Sequence, residues 1–170
     1  MESLVRDLVP ATDAILKNGV DKFNFSDPSI DPNQLAHILA QTMIYNNGIA
    51  LSAPQIGLKH RCFVLTGEKI LCCFNPILVD KSSETEYLEE GSLTFPNLLI
   101  KIKRPKIIKV RYTQPTGETI TAKFVGMTAR LFQQQLDHLN GILYTEKATD
   151  YHLEQAKKRR DQHGKRIRSI

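Results

Sequence analysis

A segment late in the chain carries the side chains with the clearest potential for chemistry. Residues 133–138 read QQQLDH, and Gln134 and His138, four residues apart, would share one face of a helix. Two histidines at this spacing, with a glutamate directly after the first, would bind a metal ion and supply a general base. Only His138 is present, and a single helical histidine is usually a hydrogen-bonded structural residue. This segment alone therefore does not indicate a metal site.

Two earlier segments place small residues next to polar ones. Residues 48–55 read GIALSAPQ, which by itself is typical of a tight loop that enters a strand. Residues 89–96 read EEGSLTFP, where Ser92 follows a single glycine. A nucleophile elbow has glycine on both sides of its serine. Because no base is identifiable nearby, Ser92 is predicted to lie in a turn rather than to act as a nucleophile.

Hydrophobic periodicity predicts the elements that position these segments. A short helix is expected within residues 1–31, and a second helix starts at Asp31-Pro32, where Asp caps and Pro fits the first turn. Helical spacing returns over 129–139, with Gly141 as the stop, and again over about 149–162. The predicted strands are 62–65, 70–75, 77–79, 100–103, 107–112 and 119–124, with a hairpin turn at 114–117. A β-rich middle between helices predicts an α+β fold.

Length and composition exclude several classes of protein. The chain has 170 residues, 41% of them hydrophobic, which suits one ordinary domain and excludes a disordered or fibrous chain. No apolar run approaches the ~18 residues of a membrane helix, and the acidic start, MESLVRD, is not a secretory signal. Three cysteines, Cys62, Cys72 and Cys73, are a sparse and odd count. We therefore expect a reduced, cytoplasmic protein without membrane contact, and a monomer.

The positive charge is concentrated at the carboxyl terminus. Residues 157–170 contain seven Lys or Arg and one Asp, or +6, whereas residues 1–156 contain 16 basic and 17 acidic residues, or −1. Such a run is either a solvated helix face or a set of contacts to nucleic-acid phosphates. The predicted RNA-binding residues are Lys157, Lys158, Arg159, Arg160, Lys165, Arg166 and Arg168. No Phe, Tyr or Trp follows position 156 to stack on bases, which argues against base-specific recognition.

Taken together, the three segments resemble the motifs of peptide deformylases, metallohydrolases that remove the formyl group from the N-terminal Met of new chains. The family motifs are Gly-x-Gly-Leu-Ala-Ala-x-Gln, Glu-Gly-Cys-Leu-Ser and Gln-His-Glu-x-Asp-His, and degenerate forms occur here in the same order. Asn75-Pro76, Arg104-Pro105 and Ala129-Arg130 agree with the same family. The resemblance implies a deformylase-like domain over 1–150, with short mixed or antiparallel sheets packed around a central helix at about 128–140. A basic helical tail would follow over 151–170.

The resemblance also implies roles for single positions. The metal-ligand positions are Ser92, Gln134 and His138, and the position of the catalytic base is Gln135. The positions that steady the formyl oxygen are Gln55 and Leu93, and the implied substrate-binding residues are Gly48, Ile49, Ala50 and Gly91.

The departures from the motifs bear directly on catalysis. The hydroxyl of Ser92 stays protonated at neutral pH, and the amide oxygen of Gln134 is a neutral, hard ligand that suits Ca²⁺ better than Zn or Fe. Gln135 cannot accept a proton, and loss of a general base alone costs about 10²–10⁴-fold in rate. No cofactor is therefore expected. Fe(II) or Zn is expected only if the protein is active with unusual ligands, for which Cys62, Cys72 and Cys73 are the candidates.

Three hypotheses follow. The first is an inactive deformylase-like binder, natural, phage-encoded or deliberately inactivated, that contacts a nascent N-terminus or, through the tail, ribosomal RNA near the exit tunnel. The second is an active deformylase with unusual ligands. The third is a structural or interaction protein with no link to translation.

Overall fold

A computed structural model describes the backbone of residues 4–168 and the side chains of residues 4–164. It shows an α+β protein with antiparallel sheets, as predicted. The helices are α1 (Pro32–Tyr45), α2 (Gly126–Leu139) and α3 (Asp150–Arg168), with 3-10 turns at Ala14–Leu16, Ala53–Ile56 and Tyr144–Lys147. The strands are β1 (Ala50–Ser52), β2 (Cys62–Leu65), β3 (Leu71–Lys81), β4 (Thr85–Ser92), β5 (Phe95–Pro105), β6 (Ile107–Thr113) and β7 (Thr119–Val125).

The strands form two sheets, and α2 contacts both of them. The larger sheet has the order β1-β2-β3-β6-β7, and the smaller consists of β4 and β5; all described pairs are antiparallel. Both β1 and β4 are edge strands, so each has one side that pairs with no described strand. Since α2 packs against strands of both sheets, it is the central helix that the resemblance implied.

Local sequence explains where α1 begins and where α1 and α2 end. Asp31 caps α1 by accepting a hydrogen bond from the backbone N–H of Gln34 at 2.9 Å, and Asn47, with φ of 53°, turns the chain toward the next segment. After α2 the chain turns at Gly141, with φ of 73°, where a Cβ atom would lie 2.6 Å from the carbonyl oxygen of Lys17. Glycine is therefore required at this stop.

Several predicted boundaries are wrong. Residues 1–31 contain only the 3-10 turn Ala14–Leu16 in their described part, and the runs 70–75 and 77–79 form one strand, β3, interrupted by a bulge at Asn75 (φ 48°). The segment 89–96, predicted to be a turn, does contain one at Leu93 and Thr94, but it also holds the end of β4 and the start of β5, which were not predicted. The pattern concealed β4 because acidic residues and a glycine occupy it, while β5 supplies the buried Ile100 and Ile102.

The cysteines pack in the core. Cys73 contributes to one hydrophobic cluster, whereas its neighbour Cys72 packs against the other, because successive strand residues face opposite sides of the sheet. Cys62 is also buried, and none of the three forms a disulfide. Within residues 4–168, no helix combines the length and the hydropathy needed to cross a bilayer.

Candidate functional site

A cavity of about 710 Å³ lies where β1, β4 and the middle of α2 meet. It brings together the three segments identified from sequence. The predicted site residues that line it are Gly48, Ile49, Ala50, Gln55, Gly91, Ser92, Leu93, Gln134 and Gln135. His138 is buried but is not among the lining residues, so the structure places it within the wall.

Gln55 is positioned by the 3-10 turn that follows β1. Its Oε1 accepts hydrogen bonds from the backbone N–H of Ser52 at 2.9 Å and from the Ser52 hydroxyl at 3.0 Å. Its Nε2 donates to Thr94 Oγ1 at 3.1 Å and to Ser92 Oγ at 3.4 Å. Ser92 Oγ also accepts the backbone N–H of Thr94 at 3.2 Å, at the turn between β4 and β5. Ser92 is therefore a hydrogen-bond partner of Gln55 and of the turn.

The two glutamines of α2 are linked to each other and to β4. Gln134 Nε2 donates to the Gly91 carbonyl at 3.0 Å and to Glu90 Oε2 at 3.2 Å. Its Oε1 accepts from Gln135 Nε2 at 3.3 Å, while Gln135 Oε1 is buried without a partner. Gln133, in contrast, bonds to the Pro105 and Ala129 carbonyls and does not join this chain.

His138 is 1% exposed, and neither ring nitrogen has a hydrogen-bond partner. Burial, and secondarily the positive charge of Arg104, lower the pKa of His138 to about 4. The imidazole is therefore neutral at physiological pH. We call Gln55, Ser92, Gln134, Gln135 and His138 the amide cluster, after its three carboxamides.

Beside the amide cluster lies a buried group of charges, Glu90, Arg104, Arg130 and Asp137, which we call the ion-pair cluster. Glu90 binds Arg104 through both oxygens, at 2.5 and 2.9 Å, and Arg130 Nη1 at 2.7 Å. Arg104 Nη1 also donates to Asp137 Oδ2 at 2.7 Å. The charges of the four side chains sum to zero, so they add no net charge to the cavity wall.

Sequence reasoning did not assign roles to the ion-pair cluster. The signals were present: Arg104 and Arg130 belong to two of the three dipeptides that agree with the family, and Glu90 and Asp137 stand inside its motifs. Residue type alone does not show that these four charges meet, because they come from β4, β5 and α2. Their pairing became visible only when the fold was known.

The rest of the cavity wall is mainly apolar. Ile49, Leu99 and Met127 line the cavity and are each about half exposed, which places them at its mouth. Leu93 and Leu131 line it with less exposure. Two of the four edge strands, β1 and β4, contribute residues that line the cavity. The space therefore suits an extended, apolar ligand.

The side chains present do not fit a catalytic Fe(II) or Zn ion. Such ions require thiolate, imidazole or carboxylate ligands, and the amide cluster offers a hydroxyl, neutral amides and a single imidazole. Among the side chains of residues 4–164, no group of three or more His, Cys, Asp or Glu is arranged to hold a metal. Cys62, Cys72 and Cys73 do not line the cavity, and burial raises the pKa of each thiol. The structure therefore offers no alternative ligand set in this region.

The predicted RNA-binding residues lie on α3, whose first half packs against β5 and buries Ala156. Arg159 donates to Glu89 Oε1 at 2.6 Å and to the Leu99 carbonyl at 3.1 Å, and both of these residues line the cavity. Lys157 and Arg160 contact acids on their own helix, Glu154 and Asp161 respectively. Lys158 is exposed, and the side chains of Lys165, Arg166 and Arg168 lie outside the described residues.

The fold and the cavity define a class: an α+β protein whose central helix packs against two antiparallel sheets beside a cavity that three sequence segments line. The profile of the Polypeptide deformylase family matches residues 5–154, and the chain belongs to the peptide deformylase family. A peptide deformylase of Carboxydothermus hydrogenoformans is 37% identical over 145 residues, which cover 85% of this chain and 93% of that protein. One from Thermotoga neapolitana is 40% identical over 110 residues, or 64% of this chain and 67% of its own length.

Solved structures agree with this assignment. The crystal structure of a peptide deformylase from Synechococcus elongatus in complex with actinonin has a TM-score of 0.85 at 27% identity, and the match covers 95% of this chain and 88% of that one. The enzyme from Thermotoga maritima has a TM-score of 0.77 at 32% identity, covering 85% and 98%. The predicted family and fold are therefore confirmed. These relatives do not test the predicted phage origin.

Proposed function

We propose that this protein binds the N-terminal segment of a peptide in the deformylase cavity and does not carry out metal-dependent hydrolysis. The observation that carries the proposal is the combination of an intact cavity with an amide cluster in place of ligands and base. Family membership supplies the peptide as the class of ligand, and the cavity retains the space for it.

The cavity wall supports an extended peptide as the ligand. An extended chain adds to a sheet through main-chain hydrogen bonds, and the alternating side chains enter pockets on either side. The open edges of β1 and β4 both reach the cavity, and Ile49, Leu99 and Met127 form an apolar mouth. A peptide between the two edges would place an apolar side chain inside.

The amide cluster supports binding without turnover. Without a metal, attacking water keeps a pKa near ~15.7 rather than about 7. Gln135 holds no lone pair basic enough to take a proton from that water, and His138 is buried outside the cavity lining with its pKa lowered to about 4. The groups that remain can bind and orient a peptide, but none of them activates water.

A second candidate is a metal-dependent deformylase. A specific observation favours it: each relative named above is a peptide deformylase, and the comparisons by themselves support that activity more directly than its absence. Under this candidate, His138 would remain a ligand and Ser92 or the glutamines would complete the set. The donor chemistry of the amide cluster is the reason that we rank it second.

One experiment separates the candidates. The purified protein, without a metal-binding tag, is supplied with Fe(II) or Ni(II) and incubated with formyl-Met-Ala-Ser, and both binding and formate release are measured. Binding without formate above a no-protein control supports the binder. Formate release that is lost in His138→Ala establishes the deformylase, and absence of both binding and release leaves the structural or interaction protein.

We also propose an RNA partner, such as ribosomal RNA, for the exposed cations of α3. Lys157, Lys158 and Arg160 project from a helix whose opposite side packs on β5, which leaves their charges at the surface. Phosphate contacts of this kind release counterions, so the affinity should fall steeply with salt. Co-sedimentation with ribosomes at increasing salt, before and after deletion of residues 157–170, tests this partner. Unchanged binding after the deletion would exclude α3 as the contact.

A further inference from the structure

Three aromatic rings form a row outside the cavity, where the start of α3 meets β4. The His152 ring lies 5.1 Å from the Tyr87 ring and 5.5 Å from the Tyr151 ring, measured between centroids, in T-shaped arrangements. Tyr87 is 47% exposed and Tyr151 is 69% exposed, and neither lines the cavity. Isolated apolar side chains are normal on a protein surface. Two exposed tyrosines joined through a third ring, in contrast, form a continuous aromatic surface.

Two lysines of β5 extend this surface. Tyr87 is directly opposite Lys103 in the β4–β5 pair and Glu89 is directly opposite Lys101, so the four side chains share one face of the small sheet. Lys103 Nζ lies 6.0 Å from the centre of the Tyr87 ring. Glu89 pairs with Arg159, whereas Lys101 and Lys103 are exposed and form no ion pair among the described side chains. Their charges are therefore available to an anionic partner.

The surface continues along α3. Lys158 is exposed and stands seven residues after Tyr151, which places both on one face of the helix, about 10 Å apart along its axis. An elongated ligand that follows this face would meet the aromatic rings first and the cation of Lys158 next. Aromatic rings beside a track of cations are the arrangement that binds single-stranded nucleic acids, because bases stack on the rings while the cations bind the phosphates.

We infer that this surface, which we call the aromatic–lysine surface and define as Tyr87, Lys101, Lys103, Tyr151 and His152, binds single-stranded RNA. The inference rests on the proposed RNA partner of α3 and narrows its class, because the bases of a duplex are paired and stacked inside it whereas those of a single strand are free to stack on protein rings. Stacking of this kind tolerates any sequence, since every base has a π-face. It therefore needs no base-specific contact, and its rings come from positions outside the basic run 157–170.

Two strands of equal charge test the inference by fluorescence anisotropy. They are an oligoadenylate dodecamer of RNA and an abasic strand with the same number of phosphates. Stacking of one base corresponds to roughly five- to 150-fold in affinity. We therefore expect the unaltered protein to bind the oligoadenylate at least fivefold more tightly than the abasic strand.

Matched variants assign the difference to the rings. Tyr87→Leu and Tyr151→Leu should each weaken oligoadenylate binding at least fivefold and leave abasic binding unchanged, whereas Tyr87→Phe keeps the ring and should keep the affinity. Tyr45→Leu, at an exposed tyrosine of α1, is the control and should change neither affinity. Lys103→Gln should weaken both strands equally and reduce the slope of log K against log salt by about 0.7.

The outcomes separate this inference from the proposed RNA partner. Equal affinity of the unaltered protein for the two strands, or leucine variants that weaken both strands equally, would overturn the stacking surface and leave a partner bound through phosphates alone. If neither strand binds, the RNA partner itself fails, and the inference fails with it. Tyrosine fluorescence gives a second readout, because the chain contains no tryptophan. Stacked bases should quench it, and a folded variant with both leucine changes should lose that quenching; quenching that persists would also overturn the inference.

Discussion

The ion-pair cluster and the amide cluster are adjacent but differ in how completely their polar atoms are satisfied. Each oxygen of Glu90 accepts two hydrogen bonds, the four charges of the ion-pair cluster neutralise one another, and its one buried polar atom without a partner among the described side chains is Arg130 Nε. In the amide cluster, Gln135 Oε1 and both ring nitrogens of His138 are buried without partners. Buried polar groups without partners are uncommon and call for an explanation.

This difference indicates that the ion-pair cluster stabilises the fold around the cavity, whereas the amide cluster contains the candidate reactive positions. The ion-pair cluster ties β4, β5 and α2 together, so it holds the cavity open whatever the cavity contains. The amide cluster contains the positions to which the resemblance assigns metal ligands and a base, and the side chains present there carry no charge at neutral pH. A cavity of this kind can keep its shape after its reactive groups are lost. Five predictions test this contrast: four change a residue of one cluster or of α3, and one concerns the unaltered protein.

The largest change restores the reactive groups. The triple variant Ser92→Cys, Gln134→His, Gln135→Glu supplies a thiolate and an imidazole beside His138 and a carboxylate as base. We expect one divalent metal per chain, with a binding free energy on the scale of about 10 kcal/mol, because three such ligands with one open position form a catalytic site. Metal analysis after dialysis checks it.

Turnover should also appear, weaker than in a family enzyme, since errors in the supporting contacts cost roughly 10–100-fold. Ser92→Cys alone is the control and should neither bind metal tightly nor release formate, because such groups act as a unit. A folded triple variant without metal would show that the three positions do not converge.

The unaltered protein provides the complementary prediction. Prepared without a metal-binding tag, it should carry no stoichiometric Fe, Ni, Co or Zn, because its side chains include one imidazole and no thiolate at these positions. Elemental analysis measures the metal per chain. One tightly held metal that resists mild chelation would favour the active-enzyme candidate.

The ion-pair cluster should respond most strongly in stability. Glu90→Gln leaves Arg104 and Arg130 buried without their shared carboxylate, so we expect the free energy of unfolding to fall by about 3–5 kcal/mol. Urea unfolding followed by circular dichroism measures it. Glu84→Gln is the control, because the Glu84–Lys106 pair is exposed and should affect the transition little. Equal effects of the two changes would contradict the architectural role.

The sequence identified the residues of the amide cluster but not those of the ion-pair cluster. The positions of the amide cluster were identified from motif order, since each residue stands at a fixed place in its motif. The ion-pair cluster was missed because its members are ordinary charged residues whose meeting depends on the pairing of β4 with β5. The helices α1 and α2 were predicted from periodicity, whereas β4 was not, because its acidic outer positions conceal the strand pattern. That strand carries Glu90, Gly91 and Ser92, so the missed element is central to the site.

The buried histidine of the amide cluster predicts a pH dependence. The pKa of His138 is about 4 in the folded protein and about 6.5 when unfolded, so below pH 6.5 the unfolded state binds more protons. This contribution to stability is present above pH 6.5 and is lost as the pH falls toward 4, by about 3 kcal/mol in total. Urea unfolding of the protein and of His138→Leu at pH 7, 5.5 and 4 checks it. The difference between the two unfolding free energies should shift in favour of the variant on acidification, and a constant difference would contradict the buried neutral imidazole.

The smallest expected effect concerns α3, where Arg159 contacts the rest of the protein and Lys158 does not. Arg159 bonds to Glu89 and Leu99 at the cavity, but both charged side chains are partly exposed, so Arg159→Gln should lower the free energy of unfolding by only about 0.2–1 kcal/mol. Lys158→Gln should not lower it, because Lys158 is exposed and makes no ion pair among the described side chains. If α3 binds RNA through phosphates, Lys158→Gln should also reduce the salt dependence of poly(U) binding by about 0.7 in the slope of log K against log salt, whereas Arg159→Gln should change that slope less, because Arg159 is paired with Glu89. Fluorescence anisotropy over a salt series measures that slope. A loss of stability in Lys158→Gln, or an equal change of slope in both variants, would show that the charge on α3 is not divided in this way.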